Sequence, residues 1–133
     1  MASIFTKIVN GELPSYKIAE TEDYYAFLDI FPLKKGHTLV IPKKEIDYIF
    51  DLDDMLYEGL FAFAKKVGKA IEKVIPCKRI GITVIGLEVP HAHIHLIPLD
   101  GLYDIDFKLP KIKLSEAEFE EIAKNISAAF EKL

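Results

Sequence analysis

The chain has 133 residues, half of them hydrophobic, a formal net charge of −4 and a slightly positive mean hydropathy. That composition supports one core in a single domain over residues 1–133, and the net negative charge excludes general nucleic-acid binding through the phosphate backbone. Met1 to Lys7 lacks a signal-peptide apolar region, no apolar run approaches the roughly 20 residues that span a bilayer, and the single cysteine, Cys77, excludes an intramolecular disulfide; the sequence reads as cytoplasmic, with no membrane partner.

Ile4 to Val9 is a short apolar segment ended by the turn signal Asn10-Gly11. Tyr16 to Ala19 follows, then a turn around Thr21-Glu22-Asp23. Tyr24 to Ile30 is aromatic-rich and strand-like. Phe31 to Gly36 is a turn or loop, and His37 to Pro42 a further strand closed by its proline. The first third therefore predicts an antiparallel meander of three or four strands. Between Leu52 and Val74 the apolar residues change to helix spacing, with Asp51 or Asp53 as cap and Pro76 beyond the end. Ile80 to Ile85 reads as a strand, 86–90 as a connector, and residues 102–111 as irregular. Ser115-Glu116-Ala117-Glu118 is a capping-box pattern that opens a second helix with an apolar stripe. The fold class is α+β, with a largely antiparallel sheet.

The informative stretch is Pro90-His91-Ala92-His93-Ile94-His95-Leu96-Ile97-Pro98. Read as a strand, it puts His91, His93 and His95 on one face and Ala92, Ile94 and Leu96 on the other, a core face. Pro90 and Pro98 bracket the run, where they cost few ladder hydrogen bonds. Imidazole is the side chain whose ordinary pKa lies near neutrality, so it serves as nucleophile, base, acid or metal ligand. Three in strict alternation are hard to explain by packing. A zinc ion on two of them is the chief competing chemistry. All three on one ion is awkward, since the triad spans about 13 Å at the strand rise.

His91-x-His93-x-His95 followed by apolar residues resembles the signature of the histidine triad (HIT) family of nucleotide hydrolases and transferases. Three further blocks are similar to that family and fall in its order: Ile4-Phe5-x-Lys7-Ile8-x-x-Gly11-Glu12-Leu13-Pro14, Ala26-Phe27-Leu28-Asp29-Ile30 with Pro32, and Gly36-His37-x-Leu39-Val40-Ile41-Pro42-Lys43-Lys44. They cover roughly residues 3–99; residues 100–133 look like a C-terminal extension. The resemblance implies a homodimer whose subunits each give about five antiparallel strands. It also implies a nucleotide substrate, commonly a purine one, cleaved at its α-phosphate from an amine, a carboxylate or a second phosphate chain, with no cofactor. Within the family the chain looks most like the nucleoside phosphoramidase branch.

By the same resemblance His93 is the nucleophile, with its other nitrogen held by a backbone carbonyl near His91. His95 donates to phosphate oxygens and assists the leaving group; His91 and His37 support. Asp29 takes the ribose hydroxyls, and Ile4, Phe5, Phe27 and Ile30 wall the base. The connector Ile85 to Pro90 is shorter than usual. It puts Glu88, beside Val89, at the phosphate contacts, where a small hydroxyl residue often sits. Some family members hold a structural zinc with amino-terminal cysteines and a further histidine. Ser3, Thr6 and Glu45 stand there instead, so no structural metal is expected. Hydrolysis of dinucleoside polyphosphates, or a nucleotide-binding or partner-binding module with little turnover, are the alternatives; nucleotidyl transfer ranks lower.

Overall fold

The computed structural model describes residues 2–133. Helix α1 is Ile4–Val9, followed by strands β1 (Lys17–Glu20), β2 (Tyr24–Leu28) and β3 (Thr38–Pro42). Helix α2 (Asp54–Val74) follows a short 3-10 turn at Ile49–Asp51. Then come β4 (Arg79–Thr83), β5 (Ile94–Leu99) and helix α3 (Glu116–Glu131). The five strands form one antiparallel sheet in the order β1-β2-β3-β5-β4. The expected five-stranded antiparallel α+β architecture is therefore present.

The apolar segment at the amino terminus is a helix, so the first third holds three strands. Ser3 caps it by accepting the Thr6 amide, and Lys7 N–H reaches back to the Ser3 carbonyl. Six residues make a marginal helix in isolation, and tertiary contacts of Phe5 fix it. Asp53, one of the two expected caps, accepts the Leu56 amide at 2.8 Å and starts α2. The capping box at Ser115 and Glu118 has both of its hydrogen bonds, which opens α3.

Strand alternation gives the sheet two unlike faces. Ala26, Leu28, Val40, Ala92, Ile94 and Leu96 point toward α2 and α3 and join one large core cluster. Tyr25, Phe27, Leu39 and Ile41 point the other way, and Phe5 of α1 completes a smaller cluster there. Across that second face His95 pairs with Leu39. The apolar stripe of α3 is buried within its own chain: Phe119 stacks on Tyr16 at 4.8 Å and Phe130 meets Phe63 of α2 at 5.8 Å.

The histidine run is only partly strand. β5 begins at Ile94, because its last pairing with β3 is Val40 to Ile94. His91 instead gives its ring to the Pro42 carbonyl, and the Ala92 amide turns aside to the Ile46 carbonyl. Pro98 does not bracket the strand but lies within it, opposite Ile80 of β4. It stands past the last β3 pair, Thr38 to Leu96, so the β3 ladder loses nothing to its missing N–H.

Gly36 turns the chain into β3 with φ at +93°, a left-handed conformation that disfavours side chains. A Cβ there would lie 2.8 Å from Ile75 Cγ1 and 3.4 Å from Pro98 Cγ. Gly36→Ala combines backbone strain with overpacking and is expected to cost roughly 2–4 kcal/mol. Denaturant unfolding checks this, and an unchanged midpoint contradicts it.

Candidate active site

Between α1, the start of the loop after β2 and the 88–89 connector lies a groove of about 290 Å3. Ile4, Phe5, Phe27, Asp29, Ile30, Glu88, Val89, His93 and His95 all line it. Nine of the eleven sequence-predicted site residues thus share one wall or another of the same depression. The other two, His91 and His37, are fully buried behind it.

Hydrogen bonds decide where each imidazole carries its proton. His91 Nε2 lies 2.8 Å from the Pro42 carbonyl oxygen, which only accepts, so Nε2 bears the hydrogen. Its Nδ1 then accepts from Ser3 Oγ at 2.8 Å. The His91 carbonyl in turn accepts from His93 Nδ1 at 2.8 Å. That leaves His93 Nε2 with a bare lone pair on the groove side. Phe5 packs edge-on against the His93 ring at 5.0 Å and limits its rotation.

A second chain fixes His95. The Leu33 amide donates to His37 Nδ1 at 3.0 Å, so the His37 hydrogen sits on Nε2. His37 Nε2 is 3.0 Å from His95 Nδ1, which must accept. His95 therefore presents Nε2–H to the groove. Burial drives every one of these rings toward neutrality: His37 is lowered to about 3 and His95 to about 4, with His95 and Lys111 adding to the effect at His37 and His93 adding to it at His95. His91 and His93 are lowered too, first by burial, against an upward pull from their backbone carbonyl partners.

These residues and their order point to one family. A model of the HIT domain matches residues 10–102 of the chain. The chain belongs to the HIT family. It is 37% identical over 131 residues to the adenosine 5'-monophosphoramidase hnt1 of Schizosaccharomyces pombe, covering 96% of this chain and 98% of that protein. An uncharacterized HIT-like protein of Borreliella burgdorferi is 39% identical over 132 residues, covering 93% of this chain and 95% of its own length. A crystal structure of a Hit-like protein involved in cell-cycle regulation from Bartonella henselae superposes with a TM-score of 0.84 at 34% identity, over 96% of this chain and 95% of that one.

Ser3, Thr6 and Glu45, the positions at which the resemblance raised the question of a structural zinc, are joined by hydrogen bonds. Glu45 Oε1 accepts from the Ser3 amide and from Thr6 Oγ1, each at 2.6 Å. Those two donors hold the Glu45 carboxyl down at about 2. Asp29, His37 and His95 also bring ligand atoms within 4.8 Å of one another. Their hydrogen-bond roles oppose a metal there. The Leu33 amide already occupies the His37 Nδ1 lone pair, so a metal on Nε2 would require an imidazolate.

Asp29 accepts the Phe31 amide at 2.9 Å through Oδ1, and its Oδ2 lies 3.5 Å from His37 Nε2. Burial pushes its carboxyl up to about 6; the Phe31 amide and Lys111 pull it back, and Glu88 adds to the rise. Sequence reasoning missed Ser3 as the hydrogen-bond partner of His91 Nδ1. It also missed Phe107 of the extension, whose ring lies 4.9 Å from that of His95 and 6.1 Å from that of His37. No periodicity marks residues 102–111, so nothing local could have placed Phe107. No helix among the described residues is long and apolar enough to cross a membrane.

Ser3→Ala removes both the α1 cap and the proton donor to His91 Nδ1, and is expected to cost about 1–3 kcal/mol of stability. Ser3→Thr, which keeps the hydroxyl, should recover most of it in the same urea titration. Asp29 has a folded-state pKa above its ordinary value. It therefore supports the fold below about 4, and that support is lost as pH rises through about 6. Asp29→Asn should raise Tm at pH 7 and change it little at pH 4; equal shifts at both pH values would contradict the buried-carboxylate account.

Proposed function

We propose that the chain is a nucleotide hydrolase that cleaves the α-phosphate of a nucleoside phosphoramidate or related nucleotide conjugate, with a purine base as the family resemblance implies, through a nucleotidyl-histidine intermediate. The observation that carries this reading is the bare Nε2 of His93, aimed at the groove while Nδ1 donates to the His91 carbonyl at 2.8 Å. A neutral imidazole locked in that tautomer is a nucleophile at neutral pH without a separate base. The phosphoramidase name of a relative at 37% identity supports the same class of reaction.

In this reading the base lies between Ile4, Phe5, Phe27 and Ile30, and the ribose hydroxyls donate to the Asp29 carboxylate. His93 Nε2 attacks the α-phosphorus, and the leaving group departs with the bonding pair. His95 Nε2–H donates to a phosphate oxygen or to the departing atom, which meets developing charge with a donor arranged beforehand. Water then displaces His93 from phosphorus and releases the nucleoside monophosphate. His37 keeps His95 in the donating tautomer. No cofactor or metal enters these steps.

Glu88, which lines the groove, favours a second reading, a nucleotide-binding module with little turnover, because a carboxylate there would repel a substrate phosphate. We also read the chain as a homodimer. β4 is an edge strand, and its Ile82 and the following Ile85 and Leu87 are exposed, Leu87 by 88%. With Tyr48 and Phe50 the connector residues Ile85 and Leu87 border an apolar depression of about 510 Å3. A lone, apolar sheet edge is a surface that proteins cover.

An adenosine phosphoramidate mixed with the protein should release adenosine monophosphate, and acid quenching should trap a nucleotidylated peptide containing His93. His93→Ala should lose roughly a thousandfold or more of the rate while still binding the nucleotide. Tight binding with no release by the native protein would favour the low-turnover module.

A further inference from the structure

His93 owes its free lone pair to one carbonyl, and that carbonyl belongs to a peptide held from its other side. The peptide joining His91 to Ala92 is planar and trans. Its N–H donates to the Ile46 carbonyl at 2.7 Å, and its C=O accepts His93 Nδ1 at 2.8 Å. The two groups of a trans peptide point in opposite directions. Ile46 therefore sets the plane of the peptide, and with it the direction from which His93 is gripped.

The residue before Ile46 is Glu45, an exposed carboxylate that reaches across to α1. Its Oε1 accepts the Ser3 amide and the Thr6 hydroxyl, each at 2.6 Å. A threonine hydroxyl has one hydrogen, and Glu45 takes it. At 3.4 Å from His91 Nδ1 the Thr6 oxygen therefore offers only lone pairs. Ser3 Oγ, at 2.8 Å, is left as the donor to that nitrogen. Phe5 lies between Ser3 and Thr6 in α1. The same docking sets its ring edge-on to His93 at 5.0 Å and to His91 at 5.8 Å. Ile4, Phe5 and Ile8 are the α1 wall of the groove. A helix of six residues does not hold itself in place.

We propose that Glu45 is a positioning residue for the nucleophile. By docking α1 on the segment that holds the His91–Ala92 peptide, it fixes both the lone pair of His93 and the wall packed against that ring. This inference rests on the hydrolase reading above. Glu45 does not line the groove, so it acts through Ser3, Thr6 and Phe5. Without its carboxylate, α1 loses two ties to the 45–46 segment. The Thr6 hydrogen is then free to compete for His91 Nδ1, and the Ser3 hydrogen is free to turn to Thr6 Oγ1, 3.3 Å away. The His91 ring loses its single arrangement of donors, and the Phe5 edge no longer limits the turning of His93.

Native protein, Glu45→Ala and Glu45→Gln are compared in two measurements: kcat and KM on an adenosine phosphoramidate, and the nitrogen NMR shifts of the His93 ring. Native His93 should show one tautomer, with its hydrogen on Nδ1. Glu45→Ala should show a mixture of the Nδ1–H and Nε2–H rings. Its kcat should fall about tenfold, short of the loss that a full ångström of misplacement brings, while KM rises no more than a few fold. The side-chain oxygen of Glu45→Gln can accept the same two hydrogens, so this variant should stay near native in both measurements. A lowered Tm with native kcat and a single His93 tautomer makes Glu45 merely structural and overturns the proposal. An equal loss in Glu45→Gln also overturns it, because the effect would then follow the charge and not the two hydrogen bonds. If the native protein turns over no phosphoramidate, the hydrolase reading fails, and the tautomers of the three proteins still decide whether Glu45 sets His93.

Discussion

One hydrogen bond organises the site: His93 Nδ1–H to the carbonyl of His91, two residues back in the same chain. It holds the proton on the buried side of the ring and leaves the lone pair on the groove side. That bond exists only because the backbone at His91 leaves the strand pattern. Were β5 to run on to residue 91, a ladder partner would compete for that carbonyl. Instead the His91 ring is pinned between the Pro42 carbonyl and Ser3, and the peptide is turned toward His93. Pro42 suits that role, since it contributes an acceptor without a donor.

The two hydrogen-bond chains, Ser3 to His91 and Leu33 to His37 to His95, share one logic. Each starts from a group whose role is fixed, a hydroxyl already accepting an amide or an amide N–H itself. The second fixes tautomers in sequence until His95 faces the groove, while His93 takes its tautomer directly from the His91 carbonyl. Burial favours neutral rings, so direction of proton donation is set without net charge. No buried side-chain nitrogen or oxygen among the described residues is without a partner. Rigid polar networks of this kind hold their geometry because every alternative strands a donor or acceptor.

The groove is apolar and carries the carboxylates of Asp29 and Glu88 beside two imidazoles that burial drives toward neutrality. All four histidines lie within the residues matched by the HIT domain, whereas Phe107, whose ring is 4.9 Å from that of His95, lies outside them.

Residue pattern alone carried the antiparallel α+β class, the long helix with its Asp53 cap, the capping box at Ser115, and the core face of Ala92, Ile94 and Leu96. All are local: periodicity of 2 or 3.6 and short capping motifs are written within a few residues of one another. Resemblance to the HIT family supplied the site list, and the folded chain brings nine of those eleven residues to one groove, with His37 and His91 buried behind it. Tertiary structure alone decided three things. It made Ile4–Val9 a helix, because Ser3 is tied to both Glu45 and His91, distant in sequence. It ended the histidine strand at Ile94, because β3 runs out of partners there. And it laid the aperiodic residues 102–112 beside His95, because Lys34 holds Asp104 from 70 residues away and Pro32 holds Ile112 from 80 — contacts between distant segments, on which the spacing of neighbours along the chain is silent.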